Sequence, residues 1–206
     1  MTNKLVFGEV DWNTGDSGTG STGKSDFMRL TEGENIVRVM ARPVQFYVHW
    51  VTLPDGQKRK ITSPISDSAL VTELETMGFK KKPTWMLKVL DRSDDKFKLL
   101  EIGSQIYSGI RSLVNHPKWG KCHAYDVSIF RGSPGTQPLY TVTPNPKEAL
   151  QSTFKSSFEA FNDGLNIESL ISPSDPAKIR DMLNLKHTST SNASDDDGDF
   201  QFSFDD

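Results

Sequence analysis

A single cysteine, Cys122, among 206 residues excludes an internal disulfide framework and any cysteine-rich zinc site. His116 and His123 stand close to Cys122 in the chain, but no fourth ligand accompanies them, so ordinary packing is expected there and no metal. No apolar run reaches membrane-spanning length, and the opening MTNKLVFGEVDW carries neither the basic nor the apolar segment of a secretion signal. A soluble, cytoplasmic protein without membrane contact is expected. With 35% hydrophobic residues, the chain is too poor in apolar content to be core throughout, which predicts one medium domain with tails. Asp, Glu, Ser and His residues show no spacing that would build a nucleophile, a base and an orienter. No catalytic residue, no cofactor and no enzymatic activity are therefore expected.

The stretch GTGSTGKS, residues 18–25, matches the pattern of a phosphate-binding loop through Gly18, Gly23, Lys24 and Ser25. Such a loop works between a buried strand and a helix, whose N-terminus adds to its positive field. Here polar and glycine residues precede it, and the turn-rich Thr31-Glu32-Gly33-Glu34 follows where a helix should open. The context points to a Gly/Ser-rich linker, with nucleotide binding ranked last among the functional readings.

The net charge of −3 conceals a strong asymmetry. Residues 191–206 hold six acidic side chains (Asp195, Asp196, Asp197, Asp199, Asp205, Asp206) and no basic one, so the remainder is net positive. Between Phe79 and Arg131, eleven Lys/Arg face five Asp/Glu. A basic body with an acidic tail suits a protein that handles nucleic acid.

Periodicity divides the chain into an N-terminal arm and linker (1–25), a folded domain (26–186) and a disordered acidic tail (187–206). Within the domain, strands are expected at residues 34–40, 43–51, 57–62, 85–90, 97–102, 123–130 and 139–142. In the second, Val44, Phe46, Val48 and Trp50 should share a core face, with Gln45, Tyr47 and His49 facing water. Helices are expected at 66–77, with Ser66 as cap and Leu70, Leu74 and Met77 inward, and at 104–115 around Ile106 and Ile110. Two more are expected at 147–161, with an apolar stripe of Leu150, Phe154, Phe158 and Phe161, and at 175–183, packed on the former. This is a mainly β domain with added helices (α+β), and its short strands and Gly/Pro turns suit a small closed Greek-key barrel.

Basic residues recur beside aromatics. Lys58, Arg59 and Lys60 follow the strand of Tyr47 and Trp50. Lys80, Lys81 and Lys82 lead into Trp85, with Lys88 and Arg92 farther along, while Lys118 and Lys121 bracket Trp119. Tyr107 and Arg111 lie one helical turn apart, off the apolar stripe. Unpaired strands ask for this mixture, because phosphates need a cationic track and bared bases need flat apolar platforms. Single-stranded DNA is therefore the expected ligand. Trp85 also shares a strand face with Leu87 and Val89, which fits a core position equally well.

FMRLTEGENIVRVM, FYVHWV, WMLKVLDRSDDKFKLLEIGSQIYSGIRSLV and YDVSIFR, spread over residues 27–145, resemble the single-stranded DNA-binding, helix-destabilising proteins of T-even-like phages. That resemblance implies an OB-fold-like five-stranded barrel binding single strands with little sequence preference in replication, recombination and repair. It also implies that DDDGDFQFSFDD, with Phe200, Phe202 and Phe204 among its aspartates, recruits phage or host replication and recombination proteins. His49 stands near a zinc-binding histidine of the family's type member, whose three cysteines are absent here, so a zinc-free barrel is implied. The type member assembles cooperatively through a basic arm, whereas residues 1–25 hold only Lys4 and Lys24 as basic residues. Self-association is compatible with the resemblance. A protein-interaction adaptor on the same barrel is the alternative.

Overall fold

The structure, a computed structural model, describes residues 27–185; the GTGSTGKS stretch and the acidic tail lie outside the described residues. Strands β2 (Gly33–Val39) and β3 (Val44–Thr52) both run antiparallel to one edge of β5 (Lys82–Asp91), with Val39 opposite Val89 and Val44 opposite Met86. Pro43, which lacks an N–H, lies in the break between β2 and β3, and the Met40 N–H donates to the Lys88 carbonyl at 2.9 Å across the start of that break. On its other edge β5 pairs with β6 (Lys96–Ile102), and β6 takes up the short parallel strand β1 (Phe27–Met28). The free edge of β2 pairs with β7 (Tyr125–Arg131), and β7 with β8 (Tyr140–Lys147). Beyond β5, β3 continues into a hairpin with β4 (Lys58–Thr62).

The result is an open, mixed, eight-stranded sheet with the path β1-β6-β5-β2-β7-β8 and β3–β4 set off it. A mainly β domain with helices was expected and is present; the five-stranded count is exceeded because β1 and the β3–β4 hairpin join the same sheet. The sheet curls, since Met28, Leu100 and Ile102 from one end and Val142 from the other meet one core with Val37, Val89, Val127 and Ile129. Helix α2 (Ser104–Asn115) fills the space between those ends with Ile106 and Ile110. Its Gly109 lies so close to β8 that an added Cβ would fall 2.7 Å from Val142 Cβ.

Helix α1 (Ser68–Thr76) is capped by Asp67, whose carboxylate accepts from the Leu70 N–H at 2.9 Å, and not by Ser66. Met77 falls beyond the last turn and is exposed. Two further corrections share a cause in tertiary contact. β8 extends to Lys147, so α3 (Ser152–Asp163) starts later than its apolar period suggests, and Phe154, Phe158 and Phe161 gather around Phe97 of β6. After the short α4 (Ile167–Leu170), α5 (Pro176–Met182) packs beside α1 and not on α3: Ile179 and Leu183 join Leu70, Leu74, Val51 and Ile61. Each such buried aliphatic contributes roughly 1.5–3 kcal/mol.

That second core changes the expected burial in the far half of β3 only. Phe46 and Val48 are buried on one face among Met86, Leu99 and Ile167, as expected, but on the other face Val51 is buried under α1 and α5 and His49 is fully buried too. Trp50, expected inward, is 51% exposed. Alternation along the strand is intact; what changes halfway is which face a helix covers.

Candidate nucleic-acid interface

A groove of 520 Å³ runs between the Met40–Pro43 break, helix α2 and the turn Lys121–His123. Val39, Leu87, Ile102 and Ile110 form its apolar floor, and Arg42, Arg111, Lys121 and His123 stand at its rim. Each of these four is exposed, and none makes an ion pair with a described residue. Tyr107 also lines the groove. Its ring stacks on Trp85 with centroids 4.0 Å apart and planes within 3°. Trp85 is only 7% exposed, so it sits in the core and backs Tyr107 instead of offering a surface of its own.

The same sheet face continues along β3. Gln45 stands opposite Trp85, and Tyr47, two residues on, is 38% exposed with the Lys81 ammonium 5.3 Å from its ring centroid. The Lys80–Lys82 approach is fixed from beneath by His49. Its fully buried ring donates from Nδ1 to the Phe79 carbonyl at 2.6 Å, which leaves Nε2 to accept from the Ser63 hydroxyl at 3.1 Å. Both ring nitrogens are thus engaged in joining β3 to its neighbours.

The loop after α2 is held differently from what its composition suggests. Trp119 is half-buried, 5.5 Å from the Tyr125 ring, while Lys118 is exposed and sits 5.2 Å from the Trp119 ring centroid. The buried Tyr125 hydroxyl donates to the Gly120 carbonyl at 3.2 Å and lies 3.7 Å from Cys122 Sγ. Burial pushes the Cys122 thiol up, against the Tyr125 hydroxyl, so the groove's sulfur is neutral. Among the described residues, no three His, Cys, Asp or Glu side chains gather as a metal would require.

The remaining expected site residues divide. Trp50, Lys58 and Lys60 share the opposite face of the β3–β4 hairpin, with Trp50 directly across from Lys60, and Lys60 is paired to Glu101 at 2.6 Å. Lys82 lies on that opposite face too, across from Val48. Arg59 reaches Met182 under α5, and Lys88 bonds Asn162 of α3. Arg92 is the most heavily paired of the expected phosphate-binding residues. Its guanidinium bonds Asp126 at 3.0 Å and Asp95 at 3.1 Å and lies over the Phe154 ring.

Asp126 also holds Arg38, which is fully buried, at 2.6 Å, and the Glu148 carbonyl accepts from the same guanidinium at 2.9 Å. On the next turn burial works against the Asp91 carboxylate, yet Lys98 and the N–H and hydroxyl of Ser93 outweigh it and hold its pKa below the ordinary value. These cations serve the fold.

Of the residues singled out in the sequence, Tyr107, Arg111 and Lys121 line this groove, and Arg42, which was not among them, lines it too. Arg42 has no aromatic neighbour in the chain; its signal is the Arg-Pro pair that interrupts a strand, which places a cation at a chain break.

No family model matches the chain, and no solved structure matches it. The chain is similar to a protein of Escherichia phage T5 described as a probable ssDNA-binding protein, with 26% identity over 149 residues. The match covers 62% of this chain and spans 58% of that relative's length. The relative is of the kind to which the sequence resemblance pointed, a phage single-stranded DNA-binding protein, and it is described as a binding protein and not as an enzyme.

Proposed function

We propose that this protein binds single-stranded DNA with little sequence preference, along the groove beside α2. The observation that carries the reading is the meeting of Arg42, Arg111 and Lys121, none ion-paired to a described residue, with the ring of Tyr107, which Trp85 holds flat. The cations replace counterions along the phosphates, and Tyr107 offers an unstacked base a platform over an apolar floor. Tyr47 and Lys81 extend the track on the same sheet face. Trp50, Lys58, Lys60 and Lys82, on the opposite face, lie outside it. Backbone contacts and ring faces carry no base code, which is why little sequence preference is expected. The name of the phage relative supports the same ligand.

The antiparallel path β6-β5-β2-β7-β8, curled about one core with α2 between its ends, supports an OB-fold-like barrel to which β3–β4 adds a hairpin. On this reading the protein protects single strands during replication, recombination and repair in the cytoplasm of an infected host. Among the described residues, no helix is long and apolar enough to cross a membrane. The tail with Asp195–Asp197, Asp199, Phe200, Phe202, Phe204, Asp205 and Asp206 recruits basic partner proteins and competes weakly for the same cations when they are absent.

Titration of intrinsic tryptophan fluorescence with oligo-dT and with duplex, at two salt concentrations, tests the proposal. Quenching by the single strand, weakened by salt, is expected; no response to either DNA from folded protein would favour the adaptor. A chain ending at residue 190 should bind tighter at low salt, and unchanged affinity would remove the competing role of the tail.

A further inference from the structure

The groove beside α2 does not end at its last cation. A second depression of 550 Å³ meets it at Met40 and His123, which line both, and continues between the end of β8 and helix α3. Its wall is apolar, through Leu150 and Phe158, and Lys147 and Lys155 stand over it. Both lysines are exposed, and neither makes an ion pair with a described residue. One carboxylate, that of Glu148, also lines the depression, leaving its cations in excess. None of these side chains belongs to a basic and aromatic cluster legible in the sequence, because β8 and α3 contribute them from either side of a connection.

We infer that the two depressions form one continuous track, and that a single strand leaving the α2 groove passes over Met40 and His123 onto the β8–α3 face. There Lys147 and Lys155 take its phosphates and Leu150 and Phe158 receive a base. The inference rests on the proposed single-strand binding and adds to it a direction and a length. Charge selects the occupant: two lysines beside an apolar wall suit a polyanion with flat apolar groups, and the depression opens directly from the groove that binds the same polymer. It follows that a short oligonucleotide is satisfied by the α2 groove alone, whereas a longer one engages both.

The test compares Lys147→Ala/Lys155→Ala with wild-type full-length protein on oligo-dT of about 5 and about 15 nucleotides, lengths within the range a single such domain covers. Expected is unchanged affinity for the short strand and a loss of several-fold for the long one. The slope of log affinity against log salt on the long strand should fall by about 1.4, two contacts at about 0.7 each. A second variant, Leu150→Glu, should reproduce the length-dependent loss by placing negative charge in the depression. Equal losses on both lengths, or none on either while wild type binds, would overturn the second half of the track and leave the α2 groove standing. Tighter binding by the double variant would also overturn it and assign the depression to the acidic tail. Failure of wild type to bind either strand would instead refute the proposed function itself.

Discussion

The groove beside α2 and the cluster around Asp126 are both rich in cations and differ in what faces those cations. Around Asp126, Arg38 and Arg92 converge on one carboxylate, and nearby Lys98 is shared between Asp91 and Asp94 at 2.8 and 3.0 Å. In the groove Arg42, Arg111 and Lys121 face no described carboxylate within ion-pair distance. A guanidinium already bonded to carboxylates gains little from a phosphate, because the new pair must first break the old one. An unpaired, solvated cation gives up only water and counterions. The first cluster therefore holds the fold together, and the second is available to a polyanion.

The contrast is sharpest where the structural cluster is broken. Asp126→Ala leaves the fully buried Arg38 without its carboxylate, and a destabilisation of about 3–5 kcal/mol is expected in urea unfolding. A loss below about 1 kcal/mol would mean that water reaches Arg38 and that the two clusters differ less than their geometry suggests. Next in size is Gly109→Ala. Its Cβ would meet Val142 at 2.7 Å, so α2 must move off β8, at a cost of about 1–3 kcal/mol. Val142→Ala removes Cγ2 but keeps the Cβ that the new methyl meets at 2.7 Å, so only part of that loss should return; full recovery would place the strain at Cγ2 alone.

Smaller effects belong to binding. Tyr107→Ala should weaken oligo-dT binding by about 1–3 kcal/mol, the size of one stacked base, while Tyr107→Phe keeps most of the affinity. Trp50→Ala, on the outer face of the hairpin, should change stability by no more than about 0.5 kcal/mol and leave oligo-dT affinity at the wild-type level. Equal binding losses at the two positions would extend the site to both faces of the sheet.

Much of this organisation is legible in the chain itself. Alternation in residues 43–51 predicts β3, Leu53-Pro54-Asp55-Gly56 predicts its hairpin with β4, and the spacing of Ile106 and Ile110 predicts α2. The composition likewise points to a basic, aromatic surface. What periodicity does not contain is the identity of the covering element. It states that Trp50 and Val51 face opposite ways, but the burial of Val51 depends on α1 and on α5, the latter more than a hundred residues farther along the chain. Charge pairing is nonlocal for the same reason: Arg38 and Asp126 are 88 residues apart, and Lys60 and Glu101 are 41 apart. A count of lysines and arginines treats Arg92 and Arg111 as equals. Only the folded arrangement separates the one clasped by Asp126 from the one that looks across a groove at Arg42.

The most direct test of that separation is the salt dependence of oligo-dT binding by Arg42→Ala/Arg111→Ala/Lys121→Ala, set against wild type. Three phosphate contacts at about 0.7 each predict a slope of log affinity against log salt that is shallower by about 2, with the unfolding midpoint unchanged. A slope equal to that of wild type would contradict the assignment of the α2 groove as the cationic track.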